Sequence, residues 1–196
     1  MSRDFVGALL QLNAEKHLFD KLVVVLTGRG ATKVEAPDGR THTFEWGPGS
    51  LFAIPINARH QHFNGSGSEP ARIASLSNLP IIMNLFHNES FVFENAHTFQ
   101  DRVGDDKYFQ GEGEFRSVKP GRHQWETNFV PDLGLLSLPE WEARGAGSRN
   151  IKFILSDSSM HAHTSEMPVG SYKKGHRHGP GAHVFAVRSE EHTSEL

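Results

Sequence analysis

Between Phe5 and Ser77 the chain runs in short apolar blocks separated by turn residues. Leu22–Leu26 (LVVVL) is a β-branched run that ends at Gly28-Arg29-Gly30, the pattern of a strand entering a turn. Ala31–Ala36 and Thr41–Trp46 flank Pro37-Asp38-Gly39, which predicts a hairpin, because proline presets the first turn dihedral and glycine relieves the last. Ser50–Ile54 predicts a further strand. The one after it carries His60, His62 and Asn64 on one face, since side chains two apart on a strand point the same way. Ala71–Ser77 is another strand, and Phe5–Leu12 alternates loosely enough to be one. Short strands at intervals of about ten residues, broken by Gly, Pro and Asn, predict a small barrel or sandwich.

The texture changes near Leu79. Leu79–Phe86 and Asn88–Asn95 predict short helical turns. From there to Asn150 the chain is polar, glycine-rich and punctuated by Trp, Phe and Tyr, as in HQWETNFVPDL. That aromatic content predicts a segment packed across a barrel surface, not a disordered linker. Ile151–Leu155 and Met160–Val169 resume the strand pattern, with His161 and His163 as partly exposed strand residues. In Gly170–Val187 (GSYKKGHRHGPGAHVFAV), His176 and His178 share a strand face, Gly179-Pro180-Gly181 predicts a turn, and His183 opens an apolar run that predicts the returning strand.

Composition narrows the classes. With 20 Lys+Arg against 23 Asp+Glu and a formal net charge of −3, the chain has no electrostatic reason to bind nucleic acid or an anionic membrane. No apolar run approaches the ~20 residues that cross a bilayer, and the N-terminus lacks a signal-peptide pattern, so a soluble cytoplasmic protein is expected. There are no cysteines, so any metal must be held by His, Asp or Glu. Three imidazoles from two adjacent strands, His176, His178 and His183, suit a borderline divalent metal such as Fe, Mn, Zn, Ni or Cu. An exposed basic hairpin is the alternative, because Lys173, Lys174 and Arg177 sit among them.

Gly49–Asn64 (GSLFAIPINARHQHFN) resembles the second signature of the cupin superfamily through Gly49, Pro55, His60 and Asn64, with Asn57 where the family has glycine. Gly170, His176 and His178 resemble the first signature, with His183 in place of its glutamate. A degraded first signature lies upstream of Gly28, with Glu15 and His17 at the two histidine positions and Lys21 at the glutamate position. Second signature before first implies two barrels in tandem, a bicupin distantly similar to gentisate-type ring-cleaving dioxygenases.

The resemblance implies an all-β fold: a cupin double-stranded β-helix (jelly-roll barrel) over 1–85, an inter-barrel linker over 86–150, and the first strands of a second, truncated barrel over 151–187. The tail 188–196 (RSEEHTSEL) resembles a translated sequencing adapter and is set aside from fold reasoning. The first barrel, with few residues ahead of Glu15, is open to lacking N-terminal strands.

In the family, histidines and a glutamate hold a divalent metal inside the barrel. The implied ligands are therefore His176, His178 and His183 in the second barrel, an incomplete site, and Glu15, His17 and His60 in the first, a degenerate one. Lys21 gives a metal no lone pair, so a metal-free structural first barrel with Lys21 paired to Glu15 or Asp20 stands against the metal site. His62 has the facing of His60 but not its motif position, and His42 is expected on the surface. The implied cofactor of the parent protein is Fe(II), with Mn, Zn or Ni as alternatives, and the implied partner is a small aromatic or carboxylated substrate. The chain itself is expected to bind metal weakly and to be inactive. A non-enzymatic bicupin that binds a small molecule or serves structurally is the competing class, and a homodimeric parent is implied by analogy.

Overall fold

The computed structural model describes residues 11–102, 104–141, 147–172, 175, 177, 179 and 181–188, and the backbone of 2–6. In chain order the strands are β1 (Ser2–Val6), β2 (Lys21–Thr27), β3 (Gly30–Glu35), β4 (Thr41–Trp46), β5 (Leu51–Ile54), β6 (His60–Asn64), β7 (Ala71–Ser77), β8 (Glu114–Lys119), β9 (Arg122–Thr127), β10 (Phe129–Val130), β11 (Arg149–Leu155) and β12 (Ala162–Glu166). Two helices, α1 (Leu79–Phe86) and α2 (Glu89–Phe93), follow β7, and 3-10 turns lie at Asp106–Phe109 and Leu133–Leu135.

The strands form three sheets, ordered β1-β7-β2-β5-β10, β4-β3-β6 and β12-β11-β9-β8. From β2 to β7 the chain changes sheet at every connection except the β3–β4 hairpin. This is the winding of a double-sheet jelly roll, the all-β class expected. The two sheets face each other without closing into one continuous ladder. Gly28 sits where β2 crosses toward β3. Its φ is +83°, and a Cβ there would lie 2.5 Å from the Ala71 Cα, so only glycine fits the crossing.

The apolar runs of β2 and β5 are continuous because both faces are buried. Val23, Val25, Phe52 and Ile54 face the three-stranded sheet and pack with Val34, Phe44 and Trp46. Leu22, Leu51 and Ala53 face the other way and pack with Ile151, Phe153 and Leu155 of β11. The five-stranded sheet is thus the middle of three layers.

Segment 86–150 sends Phe109 and Phe129 into the core of the jelly roll and also contributes strands, which its polar pattern did not predict. The two-residue β10 extends the central sheet along β5, sending Phe129 into one core and Val130 into the other. β9 pairs parallel with β11, and β8 forms a hairpin with β9. Two expectations for the C-terminal part change. The strand after Met160 is the shorter β12, and residues 181–188 form no strand among the described residues. Val184 and Val187 there are exposed, since an apolar run becomes a strand only where a ladder partner exists.

Candidate metal centre

The site is assembled by a backbone bridge. Glu15 N–H donates to the His60 carbonyl and His60 N–H to the Glu15 carbonyl, each at 2.9 Å, which lays the approach to β2 against the start of β6. Asn57 N–H donates to the His17 carbonyl at 2.9 Å and fixes the next two residues. Asn57 adopts φ +57°, the left-handed backbone expected where the family pattern has glycine. With the backbone so held, one ligand atom each of Glu15, His17 and His60 lie within 4.8 Å of one another. These three form a candidate metal site.

The imidazoles are oriented from behind. His17 Nδ1 donates to the Phe19 carbonyl at 2.9 Å, and its ring stacks on Phe19 at 3.7 Å. His60 Nδ1 donates to the Ala58 carbonyl at 3.0 Å. A proton committed at Nδ1 leaves the His17 Nε2 lone pair for the interior, as backbone carbonyls behind metal-binding histidines do, while His60 Nε2 meets the Glu15 carboxylate, with an N–H toward it in the metal-free chain and a lone pair for a bound cation. His17 Nε2 is buried with no partner among the described residues. Burial is the main cause that lowers the His17 pKa to about 3, with the His60 and Lys21 charges adding to it, so His17 is a neutral imidazole at pH 7.

His60 Nε2 faces Glu15 Oε1 at 3.1 Å, and Lys21 Nζ donates to the same oxygen at 2.7 Å. The His60 hydrogen bond, ahead of the Lys21 charge and hydrogen bond, holds the Glu15 carboxyl well below the usual carboxylate range, against an opposing effect of burial. Glu15 is 46% exposed and Lys21 11%, so the site opens to solvent on the Glu15 side. Lys21 pairs with Glu15, one of its two expected partners. Asp20 instead accepts from Ser159 N–H at 3.0 Å and from Asn78 Nδ2 at 3.1 Å. α2 covers the outer flank, where Leu18 N–H donates to the Val92 carbonyl at 2.8 Å and Phe93 meets Phe19 edge-on at 5.7 Å.

His62 is a buried neighbour of the site, its ring 5.4 Å from that of His60. Its Nδ1 lies 2.7 Å from Thr32 Oγ1, which also accepts Trp46 Nε1–H at 2.9 Å. Nothing in the spacing of the signatures pointed to Thr32 or Trp46. His42, expected on the surface, is buried. It stacks on Phe109 at 4.5 Å with Nδ1 3.1 Å from Asp106 Oδ1, because it shares the inward face of β4 with Phe44 and Trp46. His161 and His163 are both exposed; His163 is on β12, while His161, expected on the same strand face, lies just before the strand begins. His176 and His178 lie outside the described residues. His183 is exposed on unpaired backbone, so the expected strand that would carry it inward is not formed.

No helix among the described residues is long and apolar enough to cross a membrane. No family model matches the chain, and no curated protein matches it. Among solved structures it is similar to a single-site mutant of Bacillus subtilis oxalate decarboxylase, at 13% identity and a TM-score of 0.38, over 71% of this chain and 40% of that one. Vicilin from Solanum lycopersicum is similar at 15% identity and a TM-score of 0.33, over 34% of this chain and 18% of that one. The coconut allergen cocosin is similar at 16% identity and a TM-score of 0.35, over 40% and 23%. The chain spans less than half the length of each, and no residue role passes from them to this site.

Proposed function

We propose that the chain is part of a metal-dependent bicupin whose first barrel holds a divalent cation between Glu15, His17 and His60. The observation that carries this reading is the buried, partnerless Nε2 of His17, aimed where His60 Nε2 and a Glu15 oxygen converge. Two imidazoles and one carboxylate are the donor set of non-haem iron(II) oxygenases, which favours Fe(II) ahead of Mn, Zn or Ni. When bound, such an ion supplies a Lewis acid with positions left open for a small ligand. The chain's own residues do the rest: the Phe19 and Ala58 carbonyls orient the imidazoles, and Phe52 and Ile54 keep the interior dry. Lys21 places a cation at the mouth. The parent is then an enzyme of small aromatic or carboxylated substrates, in the cytoplasm, with His176, His178 and His183 as ligands of its second barrel.

A second reading has its own support. Lys21 and His60 both reach Glu15 Oε1, which neutralises the carboxylate without a metal and suits a structural or small-molecule-binding barrel. Equilibrium titration with Co(II) or Fe(II) under argon separates the two. The metal reading expects saturable binding of one equivalent that dialysis removes, and that is lost in His17→Ala and in Glu15→Gln. Wild-type chain that shows no saturable binding is a metal-free barrel.

A further inference from the structure

α1 is a helix without the usual means of support. Eight residues are marginal as a helix on their own, and in folded chains an amphipathic face packed on the core holds such a segment. None of the α1 residues is buried. The segment LPIIMNLF has no charged residue to pair along the helix or to answer its dipole. Asn78 precedes it without a side-chain cap, because its amide oxygen accepts from Asp20 N–H and its Nδ2 donates to the Asp20 carboxylate. What the helix has instead is apolar surface turned outward. Ile81 is 67% exposed, and Leu85, one turn on and on the same face, is 68% exposed.

That surface continues over α2. The Phe86 and Phe91 rings meet at 4.7 Å across the left-handed turn at His87, and Phe91 and Phe93 are exposed as well. α2 itself is anchored, with Val92 buried and its carbonyl accepting from Leu18 N–H, so the face stands on a fixed support. Ile81, Leu85, Phe86, Phe91 and Phe93 together expose apolar surface on the order of 500 Å², in the upper part of what a monomer ordinarily shows in one patch.

Charge and area name the occupant. Between Arg72 and Arg102 there is no Lys or Arg, while Glu89, Glu94 and Asp101 are acidic. An anionic bilayer is therefore repelled, and α1 lacks the basic polar face of a helix that lies on lipid. A partner selected by charge finds nothing on α1 to read. A second copy of α1 meets it without like-charge cost. A stable interface takes roughly 800 Å² from each partner, a little over half of it apolar, which about 500 Å² supplies. Two such helices crossing at their middle set Ile81 and Leu85 of one copy against the same pair of the other, the self-complementary contact that a twofold axis requires.

We propose that α1 and α2 form the face on which two copies of this chain associate, about a twofold axis that passes through α1. The family resemblance implies a dimer without a surface; the uncovered helix supplies one.

Sedimentation equilibrium of the metal-free full chain should show a monomer–dimer equilibrium. Ile81→Asp and Leu85→Asp should each weaken it about tenfold or more, since every dimer then buries two unpaired carboxylates. Leu135→Asp, at an exposed leucine on the turn after β10, should leave it unchanged. Circular dichroism should show all three variants folded, because each replaced side chain is exposed. The chain has no cysteine, so a single introduced one reports proximity without background. Asn84→Cys, exposed on α1, should be joined to its copy by a short bis-maleimide, and Ser117→Cys, exposed on the edge strand β8, should not. A chain monomeric at every concentration, a dimer indifferent to both α1 aspartates, or cross-linking at Ser117→Cys in place of Asn84→Cys overturns the proposal. Binding to neutral phosphatidylcholine vesicles that Ile81→Asp abolishes also overturns it, and makes the face a lipid contact.

Discussion

At φ +57° Asn57 occupies backbone space that glycine takes without strain, yet its Nδ2 donates to the His97 carbonyl at 2.6 Å and to the Asn95 carbonyl at 3.2 Å. The side chain thereby ties the segment after α2 over the site that its backbone helps to shape. Asn57→Gly should release about 1 kcal/mol of left-handed strain while losing two bonds worth about 1 kcal/mol each, a net loss of about 1 kcal/mol. Asn57→Ala keeps the strain and loses the bonds, for a net loss of about 2 kcal/mol. Urea denaturation of the two variants measures both, and a Gly variant more stable than wild type would mean the tie contributes nothing.

Histidine burial sets a second expectation at this scale. His17 and His62 both have pKa values lowered to about 3, mainly by burial, against an ordinary 6.5. From about pH 6.5 down to about 3 the unfolded chain binds protons that the folded chain refuses, so stability falls on acidification by roughly 1.4 kcal/mol per pH unit for each histidine. Glu15, whose pKa is lowered, adds to the loss only below about pH 4.5, where its unfolded form takes up a proton. Thermal melts between pH 7 and 5 should show this decline, and His62→Gln should roughly halve its slope. A melting temperature flat across that range would mean the imidazoles are not buried neutral.

Elements whose sequence pattern matched their surroundings were legible before the structure. β2 to β7 and both helices lie close to where the apolar blocks and turns placed them, because each strand has at least one buried face that its sequence records. The alternation of β4 also places His42, two positions from Phe44, on the inward face, against the general preference of a polar ring for the surface. β8 and β9 were not legible. They are half-buried to exposed along nearly their whole length, so Glu114–Lys119 and Arg122–Thr127 carry little apolar rhythm, and ladder hydrogen bonds define them, with Trp125 against Phe153 as their main side-chain anchor. The apolar runs of β2 and β5 are continuous, which fits burial on both faces, but such a run carries no sign of which layer covers it. Of the site, the spacing of the signatures brought Glu15, His17 and His60 together. The tautomers of His17 and His60 depend on the Phe19 and Ala58 carbonyls, which no side-chain pattern encodes. Phe52, fully buried between Phe44 and His62, is the element-scale test: Phe52→Ala should cost about 3–5 kcal/mol in a denaturant melt. A loss below 1 kcal/mol would mean the interior collapses around the deletion.

For the whole molecule, the division at residue 85 that the signatures suggest cuts through a shared core. Phe109 and Phe129 pack inside the jelly roll with Phe44 and Phe52, while Ile151, Phe153 and Leu155 cover the outer face of the central sheet, where Val130 lies beside Leu22, Leu51 and Ala53. Gly49 records the same closeness, for at φ +86° its missing Cβ makes room for the Asp132 carboxylate, 2.6 Å from where that atom would stand. Asp20 adds a polar clamp, accepting from the Ser159 backbone and hydroxyl across the two sheets. A chain ending at residue 85 would expose the β5 edge and the outer faces of β2 and β5 together, a flat apolar surface with unpaired backbone that favours association. It should therefore aggregate or remain unfolded. A chain ending at residue 169 keeps every residue of both cores and both Asp20 contacts, and should fold. Size-exclusion chromatography and circular dichroism of the two pieces decide the matter. A monomeric, cooperatively melting 1–85 piece would show that the jelly roll is self-sufficient and that the outer sheet only decorates it.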